Sequence, residues 1–368
     1  MKINITLPNE VNLIHRIFRT EGFELFLVGG AVRDAVLGVI PKDFDLVTNA
    51  VPEKVIELLK PQKFVTNILE TGRAFGVINV ITNTHEFEIA TMRQDSSAGD
   101  GRRPESVVFT NIETDILRRD LSCNALFYDL DTNEVVDLVG GMDDIKNGVV
   151  RTVGTASERF DEDKLRILRV MRFAARFGGN VDADIDKALR IDSDISQVSG
   201  ERIRDEFMKG IRTSKSTVRF LELLDEYNLL QMILPNMVIN RNFVESNNPY
   251  VVIASLLKDA GHLDKVLNNA KYTGDDIKLI KFLVSLTIFD PKQVVELARN
   301  RKGSVADDDE IVEFAELNGL DMRVIETFLN FQLSVSGDEV ISNFGITGKA
   351  VGDKIAELET KNFLNMLK

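Results

Sequence analysis

The chain has 368 residues, and its 44% of hydrophobic residues is enough to form two or three packed units. The net charge of −13 at pH 7 excludes a protein that coats nucleic acid nonspecifically, although a local basic surface is still compatible with it. No apolar run approaches the ~18 residues of a membrane-spanning helix, and the start lacks a signal-peptide pattern. The single cysteine excludes an intrachain disulfide framework, and the three histidines lack zinc-site spacing. We therefore expect a cytoplasmic protein with no membrane partner.

Short β-like runs alternate with helical patterns over the first 150 residues. A helix is predicted at 52–59, because Pro52 is tolerated at a first helical position. A hairpin is predicted around Thr82-Asn83-Thr84, between runs at 76–81 and 85–90. The other predicted elements are strands at 25–28 and 44–47, a helix at 32–37 stopped by Gly38, and a mobile polar loop at 94–104.

Beyond residue 150 the apolar spacing is helical, without a strand-rich stretch. Segment 151–176 carries seven Lys and Arg residues against four Asp and Glu residues, the reverse of the chain's overall charge. This reversal indicates a polyanionic ligand with a confined footprint. We predict a mixed α/β head at 1–150, a helical neck at 151–215, and a helical body and tail at 216–368.

Paired glycines and paired acids stand close together near the N-terminus. Gly29 and Gly30 follow a predicted strand, so their backbone amides can approach a phosphate closely, and Arg33 can add a charge-assisted contact. Asp43 and Asp45 lie two residues apart in a predicted strand, so both carboxylates face one side. Carboxylate oxygens suit Mg²⁺, and two such ions would activate an attacking hydroxyl and stabilise a leaving pyrophosphate. The alternative is a glycine turn beside solvated acids, which the combined spacing disfavours.

A further acid is a candidate for the same group. In the run 86–90, Phe87 and Ile89 share the predicted core face and leave Glu86 and Glu88 on the other. Glu88 could supply a third carboxylate beside Asp43 and Asp45. Taken alone, this run would be better explained as a solvated strand face.

A double arginine precedes a small polar turn. Arg118 and Arg119 can reach triphosphate oxygens, and Asp120 and Asn124 either bond ribose hydroxyls or cap the helix that follows. Capping with surface charge is the alternative for the whole segment. Cys123 is predicted to be a small buried residue and not a nucleophile.

An arginine-rich helix is predicted within 159–173. At 100° per residue, Asp163, Arg166, Arg169 and Arg172 spread over one half of the helix, while apolar residues occupy the other half. A solvated face would more often mix Glu with Lys, whereas arginine suits planar, bidentate contacts. This face is therefore predicted to line a cleft.

The same helix suggests how a base could be chosen without a template. Cytosine and adenine each present an amino donor beside a ring-nitrogen acceptor. Asp163 can accept from the amino group and Arg166 can donate to the ring nitrogen. Uracil and guanine have the opposite polarity and would leave buried groups unpaired, at about 1–3 kcal/mol per group.

Together these segments resemble the family of class II CCA-adding enzymes and bacterial poly(A) polymerases. Residues 29–45 match the family pattern GG-x-V-R-D, then a glycine, then D-x-D, and residues 162–166 match E-D-x-x-R. Residues 118–126 match R-R-D-F-T-I-N-A-L, with Leu121, Ser122 and Cys123 as substitutions. Asp100-Gly101-Arg102 resembles the family's D-G-R loop, and residues 199–203 resemble its S-x-E-R segment.

The resemblance implies an α/β nucleotidyltransferase head of the polymerase-β type, followed by an all-α neck, body and tail. It implies that Asp43 and Asp45 bind catalytic Mg²⁺, with Glu88 as a third catalytic carboxylate. The implied nucleotide contacts are Gly30, Arg33, Arg119, Asp163, Arg166, Arg169 and Arg172. Asp163 and Arg166 would read the base, and Arg169 and Arg172 would help to hold the triphosphate. The RNA 3′-hydroxyl would attack the α-phosphate of CTP or ATP and release pyrophosphate.

Several activities share these motifs. Addition of CCA to tRNA is our leading interpretation, because an acidic chain without a basic C-terminal tail favours a compact tRNA partner over processive polyadenylation. A poly(A) polymerase, or a specialist that adds only A or only C, remains an alternative. A noncatalytic RNA-binding module is the alternative of another class, and the intact Asp43, Asp45, Glu88, Asp163 and Arg166 argue against it.

Overall fold

A computed structural model of the protein describes residues 1–95, 107–304 and 306–368. The described chain divides into two units, Met1–Gln197 and Val198–Lys368. The predicted three-part division at 150 and 215 stays a prediction. No helix in the described ranges is both long enough and apolar enough to cross a membrane. The Asp100-Gly101-Arg102 match, and all but the first two residues of the predicted loop at 94–104, lie outside the described residues.

A mixed sheet forms the centre of the first unit. Its described strands run in the order β3-β4-β5-β2-β1-β8-β9. The strands are β1 (Leu25–Val28), β2 (Leu46–Thr48), β3 (Val65–Leu69), β4 (Val77–Thr82), β5 (Glu86–Thr91), β8 (Phe127–Asp129) and β9 (Glu134–Val136). Every neighbouring pair is antiparallel except β2 and β5, which are parallel. Two small ribbons pair β6 (Arg93–Asp95) with β7 (Val107–Phe109) and β10 (Val149–Val150) with β11 (Asn180–Val181).

The described residues of the first unit also form helices. They are α1 (Asn9–Thr20), α2 (Gly30–Val36), α3 (Pro52–Leu59), α4 (Ile112–Leu117), α5 (Gly141–Asn147), α6 (Ala156–Glu162), α7 (Leu165–Phe177) and α8 (Ala183–Ile191). The predicted helix at 52–59 and the predicted hairpin are confirmed. The strand predicted at 44–47 begins only at Leu46, so Asp43 and Asp45 lie before it and outside regular secondary structure, as suits aspartate, which is depleted in strands.

A buried cluster beneath the sheet supports the strands and loops that carry the candidate site. Its members come from β1, β2, β8, α4 and connecting segments: Val28, Val47, Met92, Ile116, Ala125, Phe127 and Val153. The buried Val28 of β1 directly precedes Gly29, and the buried Val47 of β2 lies two residues after Asp45. The polar residues of the site are therefore fixed to a packed core.

The helix predicted through Asp163 is interrupted there, so the prediction of one continuous helix was wrong. Asp163 has extended backbone angles (φ −155°, ψ 105°) and separates α6 from α7. Its Oδ1 accepts a hydrogen bond from the backbone N–H of Leu165 at 3.0 Å. This local turn competes with helical pairing, which is how aspartate commonly ends one helix and begins another.

The second unit is helical, as predicted, and no strand occurs in its described residues, 198–304 and 306–368. Its helices are α9 (Gly200–Thr213), α10 (Thr217–Glu226), α11 (Leu229–Ile233), α12 (Pro249–Leu257), α13 (Leu263–Asn269), α14 (Gly274–Ser285), α15 (Val294–Ser304), α16 (Asp308–Leu317), α17 (Met322–Asn330), α18 (Gly337–Phe344) and α19 (Lys349–Met366). Capping boxes begin α14, α16 and α18, where the N-cap side chain and the third helical residue bond each other's backbone.

Gly210 gives a test of packing in this unit. It lies within α9, and an added Cβ would stand 2.2 Å from Cζ of Phe220 in α10. We expect Gly210→Ala to lower the free energy of unfolding by about 1–3 kcal/mol, because overpacking outweighs the helix preference of alanine. Urea unfolding measures this change.

Gly352 in α19 is the matched control, since a Cβ there would meet no atom within 4 Å. Gly352→Ala should raise the free energy of unfolding by up to about 1 kcal/mol. Stabilisation by both substitutions would contradict the packing argument.

Candidate functional site

Three acids lie close together where the chain enters β2, beside the adjacent strand β5. Phe44 is buried while Asp43 and Asp45 on either side of it are exposed. Leu46 of β2 pairs with Ile89 of β5 in parallel register, so the preceding residues, Asp45 and Glu88, are neighbours. The predicted alternation in β5 is confirmed, with the glutamates exposed and the apolar residues buried.

The negative charge of these acids is only partly balanced by the protein. The Asp45 pKa is raised because surrounding atoms desolvate the carboxylate and Asp43 repels it, and Arg119 opposes this effect. The Glu88 pKa is raised by desolvation and by Asp45, with Arg93 opposing. The carboxylates therefore destabilise one another, and a bound cation would relieve that repulsion.

The donor set fits a metal ion that also takes ligands from its substrate. Within the described residues, no group of three or more His, Cys, Asp or Glu side chains lies close enough to hold a metal ion. Mg²⁺ commonly uses only one or two carboxylates and completes its octahedron with water and phosphate oxygens. Asp43 and Asp45, exposed and separated by one residue, match that requirement.

The glycine turn lies beside these acids. Gly29 has φ 65° and ψ −122°, a conformation that favours glycine, and α2 begins at the next residue. The Gly29 N–H donates to the carbonyl of Leu126 at 3.1 Å, and Val28 donates to the carbonyl of Asp45 at 2.9 Å. A Cβ at Gly29 would lie 3.9 Å from Nη1 of Arg119. Backbone amides, an arginine and the acids thus share one region.

A buried aspartate fixes the double arginine. Asp115, fully buried in α4, accepts from Nε of Arg118 at 2.7 Å and from Nη2 of Arg119 at 3.0 Å. The Arg119 guanidinium also lies over the ring of Phe127, 4.5 Å from its centroid. Burial lowers the pKa of Arg119, and Asp115 opposes that shift. Sequence reasoning missed Asp115, although its spacing three and four residues before the arginines was a usable signal.

Arg33 is more deeply buried than its predicted role requires, since its exposed fraction is 6%. Its Nη1 donates to Oδ1 of Asn124 at 2.6 Å, and its Nε donates to Oδ1 of Asp34 at 2.9 Å. The predicted contact of Arg33 with the nucleotide stays a prediction. These bonds place Arg33 beneath the glycine turn, where it supports the turn and the loop that carries Asn124.

The first arginine of α7 is held by Glu162. Nη1 of Arg166 donates to Glu162 and, at 3.0 Å, to the carbonyl of Arg159. Arg159 also donates to both oxygens of Glu162 at 2.8 Å. Burial alone would raise the Glu162 pKa, but the two arginines outweigh it and the pKa is lowered. Glu162 therefore orients Arg166, a role that sequence reasoning did not assign.

The other two arginines of α7 have different surroundings. Nε of Arg169 donates to Oδ2 of Asp120 at 2.6 Å, which joins α7 to the double-arginine segment. Burial would raise the Asp120 pKa, yet Arg169 outweighs this effect and the pKa is lowered. Arg172 is 3% exposed and lies over the ring of Phe173, with 4.2 Å to the centroid. The polar half of the helix is thus partly packed and not a uniform cleft face.

Cys123 agrees with its predicted role. It lies in a 3₁₀ turn (Ser122–Asn124), is fully buried, and its pKa is raised to about 12 by desolvation. A thiol with that pKa is a poor nucleophile at neutral pH. Ser122, the neighbouring substitution, donates to Oδ2 of Asp144 at 2.5 Å.

Comparison with known proteins places this geometry in a family. A model described as "Poly A polymerase head domain" matches residues 25–151, and one described as "Probable RNA and SrmB- binding site of polymerase A" matches residues 186–239. The chain is 31% identical to the CCA-adding enzyme of Leuconostoc mesenteroides subsp. mesenteroides over 369 residues, which covers 92% of this chain and 88% of that protein. The chain belongs to the family of CCA-adding enzymes and bacterial poly(A) polymerases.

Both branches of this family are similar to the chain. Poly(A) polymerase I of Escherichia coli O157:H7 is 33% identical over 279 residues, or 71% of this chain and 58% of that protein. The Bacillus stearothermophilus CCA-adding enzyme in complex with CTP has a TM-score of 0.75 at 22% identity, covering 98% of this chain and 94% of that one. The Thermotoga maritima CCA-adding enzyme complexed with tRNA has a TM-score of 0.69 at 20% identity, with coverages of 97% and 92%.

Family membership confirms the predicted nucleotidyltransferase class. The structural neighbours confirm the fold class, a mixed α/β head followed by helices. The structure places Asp45 close to Asp43, Glu88 and Arg119, and the catalytic role of these acids stays a prediction.

The raised pKa of Asp45 predicts how a substitution there changes the stability of the folded protein. Above its folded-state pKa, the Asp45 carboxylate is charged in both the folded and the unfolded protein. The unfavourable free energy of that charge in the folded protein is therefore fully present at pH 7. We expect Asp45→Asn to raise the free energy of unfolding at pH 7 by less than about 1 kcal/mol, because the side chain is exposed. The gain should shrink as the pH falls towards about 3.9, where the unfolded aspartate protonates.

Glu53→Gln is the control, and it should change the free energy of unfolding in the opposite direction. The Glu53 pKa is lowered by a backbone hydrogen bond and by Arg73, so removing its charge should destabilise the protein at pH 7. Urea unfolding at pH 7 and 4.5 measures both variants. A loss of stability in Asp45→Asn at pH 7 would contradict the argument.

Proposed function

We propose that this protein is a CCA tRNA nucleotidyltransferase, which adds C, C and A from CTP and ATP to the 3′ end of tRNA and releases pyrophosphate. The observation that carries the proposal is the 31% identity with a CCA-adding enzyme across 88% of that protein's length. The juxtaposed acids and the arginines fixed around them support it.

Asp43 and Asp45 are proposed to hold Mg²⁺, with Glu88 as the neighbouring third catalytic carboxylate. Their charge repulsion suits a divalent cation, which when bound would lower the pKa of the attacking 3′-hydroxyl and stabilise charge on the leaving pyrophosphate. The backbone N–H of Gly30 would donate to phosphate oxygens, since the N–H of Gly29 already donates to the carbonyl of Leu126.

Arg119, held rigidly by Asp115, is proposed to bind the triphosphate from the side of the glycine turn. Arg169 would bind phosphate oxygens in exchange for its bond to Asp120, which would free that carboxylate for a ribose hydroxyl. Arg172 would contribute its positive charge from its buried position. Arg33 would act chiefly through the turn that it supports.

Asp163 and Arg166 are proposed to read the base. Glu162 and the carbonyl of Arg159 occupy Nη1 of Arg166, while its Nε and Nη2 donate to no group among the described residues. Those two donors would face the ring nitrogen of cytosine or adenine, and the Asp163 carboxylate would accept from the amino group. Uracil and guanine present a carbonyl and a ring N–H in place of the amino group and the ring-nitrogen acceptor. They would leave Asp163 and Arg166 without hydrogen bonds to the base and would be rejected.

A first experiment defines the activity. Labelled CTP and ATP are supplied separately and together, with Mg²⁺, to tRNA that ends at the discriminator base. We expect two cytidines, one adenosine and then a stop, and a loss on the order of 10³-fold or more in Asp45→Ala.

Other outcomes would replace the proposal. A long adenosine tail without use of CTP would make the protein a poly(A) polymerase, the alternative favoured by its 33% identity to poly(A) polymerase I. Adenosine added only to tRNA ending in CC would make it an A-adding specialist. RNA binding without incorporation of any nucleotide would indicate a noncatalytic module.

A second experiment tests the base reader. Asp163→Ala should reduce the preference for CTP and ATP over UTP and GTP by roughly 5- to 150-fold, the equivalent of one lost buried hydrogen bond. Glu158→Ala, at an exposed position of α6, is the control and should keep the preference. An unchanged preference in Asp163→Ala would refute the assignment.

A further inference from the structure

One face of α7 makes three successive contacts with the head. Arg169, Phe173 and Arg176 are spaced by four and three residues, so they align over two turns of the helix. Arg169 binds Asp120, the ring of Phe173 lies 5.0 Å from the guanidinium carbon of Arg33, and Nη2 of Arg176 donates to Oδ1 of Asp34 at 3.0 Å.

The head residues in these contacts are bonded to one another. Arg33 donates to Asp34 at 2.8 Å through Nη2 and to Asn124 at 2.6 Å through Nη1. Asn124 in turn donates to Asp120 through a longer bond of 3.4 Å. The result is one polar chain, from Arg176 through Asp34, Arg33, Asn124 and Asp120 to Arg169, whose two ends both lie on α7. We call this set of residues the α7 anchor.

The part of the anchor around Asp34 is largely shielded from water. The side chains of Arg33, Asp34 and Arg176 are 8%, 18% and 23% exposed. Ion pairs with this degree of burial hold their geometry more strictly than exposed pairs, because loss of one partner leaves a desolvated charge. Asp34 is central, since one carboxylate oxygen accepts from both arginines.

The anchor lies between the two halves of the candidate site. Its head end includes α2, which starts at the glycine turn, and the loop that carries Asp120. Its helix end continues, one turn before Arg169, to Arg166 and then to Asp163. The position of the base reader relative to the carboxylates is therefore set chiefly through the Asp34–Arg176 pair, which does not depend on the exchange of Asp120 for phosphate at Arg169.

We propose that Asp34 and Arg176 are positioning residues for nucleotide selection. They touch neither the base nor the reacting atoms. Their ion pair holds the distal end of α7 on α2, so that the base reader at the other end of the helix keeps one distance from the metal-binding acids. This inference rests on the proposed nucleotidyltransferase function.

The physical consequence is a loss of selectivity and not only of stability. A base is read by two hydrogen bonds, whose strength falls steeply when the donors shift or tilt. A displacement of about 1 Å far from the reacting atoms can cost on the order of 100-fold in rate. Loss of the anchor should therefore lower kcat for CTP more than for UTP, because UTP makes no correct base contacts to lose.

The test uses Arg176→Met, Arg176→Lys, Asp34→Asn and the double variant Asp34→Asn/Arg176→Met in the full chain. We measure kcat and KM for CTP and UTP on the same tRNA, and hydrogen exchange of the α7 amides. Arg176→Met should lower kcat for CTP by about 10-fold or more and reduce the CTP-over-UTP preference by a similar factor. Arg176→Lys should restore both to within about 3-fold, because Asp34 takes a single hydrogen bond from Arg176.

Coupling between the two residues is measured by the double variant. If they act as one pair, Asp34→Asn/Arg176→Met should be no worse than Asp34→Asn alone. Arg19→Met is the matched control, since Arg19 on α1 pairs with Asp131 at 2.9 Å in the same unit. It should leave kcat, nucleotide preference and α7 protection as in the wild type.

The results separate the possible failures. Equal effects of Arg176→Met on kcat for CTP and for UTP would overturn the positioning role. Unchanged hydrogen exchange in α7 would overturn the anchor whatever the activity. A wild-type chain that incorporates no nucleotide would refute the proposed function instead, and the exchange measurement would still decide whether Asp34 and Arg176 hold α7.

Discussion

The parallel pairing of β2 with β5 sets two carboxylates side by side, and the arrangement of the site depends on that constraint. Asp45 and Glu88 are neighbours because Leu46 and Ile89 are in register, and desolvation together with the charge of Asp45 raises the pKa of Glu88. Arg119 is close enough to lower the Asp45 pKa, yet its hydrogen bonds go to Asp115.

The charged side chains of the site fall into two groups, the arginines with their partner acids and the acids that are proposed to bind the metal. Four of the arginines with a predicted role bond a different acid each: Asp115 for Arg119, Glu162 for Arg166, Asp120 for Arg169 and Asp34 for Arg33. The acids that bond these arginines fix the guanidinium groups. Asp43, Asp45 and Glu88 form a separate group of acids at β2 and β5. The cation-binding carboxylates and the anion-binding arginines thus lie close together without forming, among the described residues, ion pairs that would neutralise both groups. A metal triphosphate, which carries both charges, is complementary to that pattern.

The sequence allowed the site to be predicted wherever local chemistry decides the structure. The turn at Gly29, the helix after Pro52 and the alternation in β5 follow from glycine geometry, proline geometry and period-two burial. The break at Asp163 was missed because a side-chain hydrogen bond to Leu165 competes with helical pairing, and helical spacing alone carries no sign of it. The burial of Arg172 was missed for a different reason, since the periodic pattern shows which residues share a face but not what packs against that face. The roles of single residues, unlike the fold, are still predictions.

The same separation of the charged groups explains how an acidic chain can accept a polyanion. A free arginine surface would attract any nucleic acid, whereas these arginines are already compensated by buried or half-buried acids. Binding of a triphosphate must therefore exchange one anionic partner for another, as at Arg169, where Asp120 would be released. Such an exchange gains little from charge alone, so it favours a ligand that also satisfies the geometry of the glycine turn, the metal and the base reader together. Selectivity in this site follows from the need to meet all three at once, and the rigid placement of α7 is what makes that requirement strict.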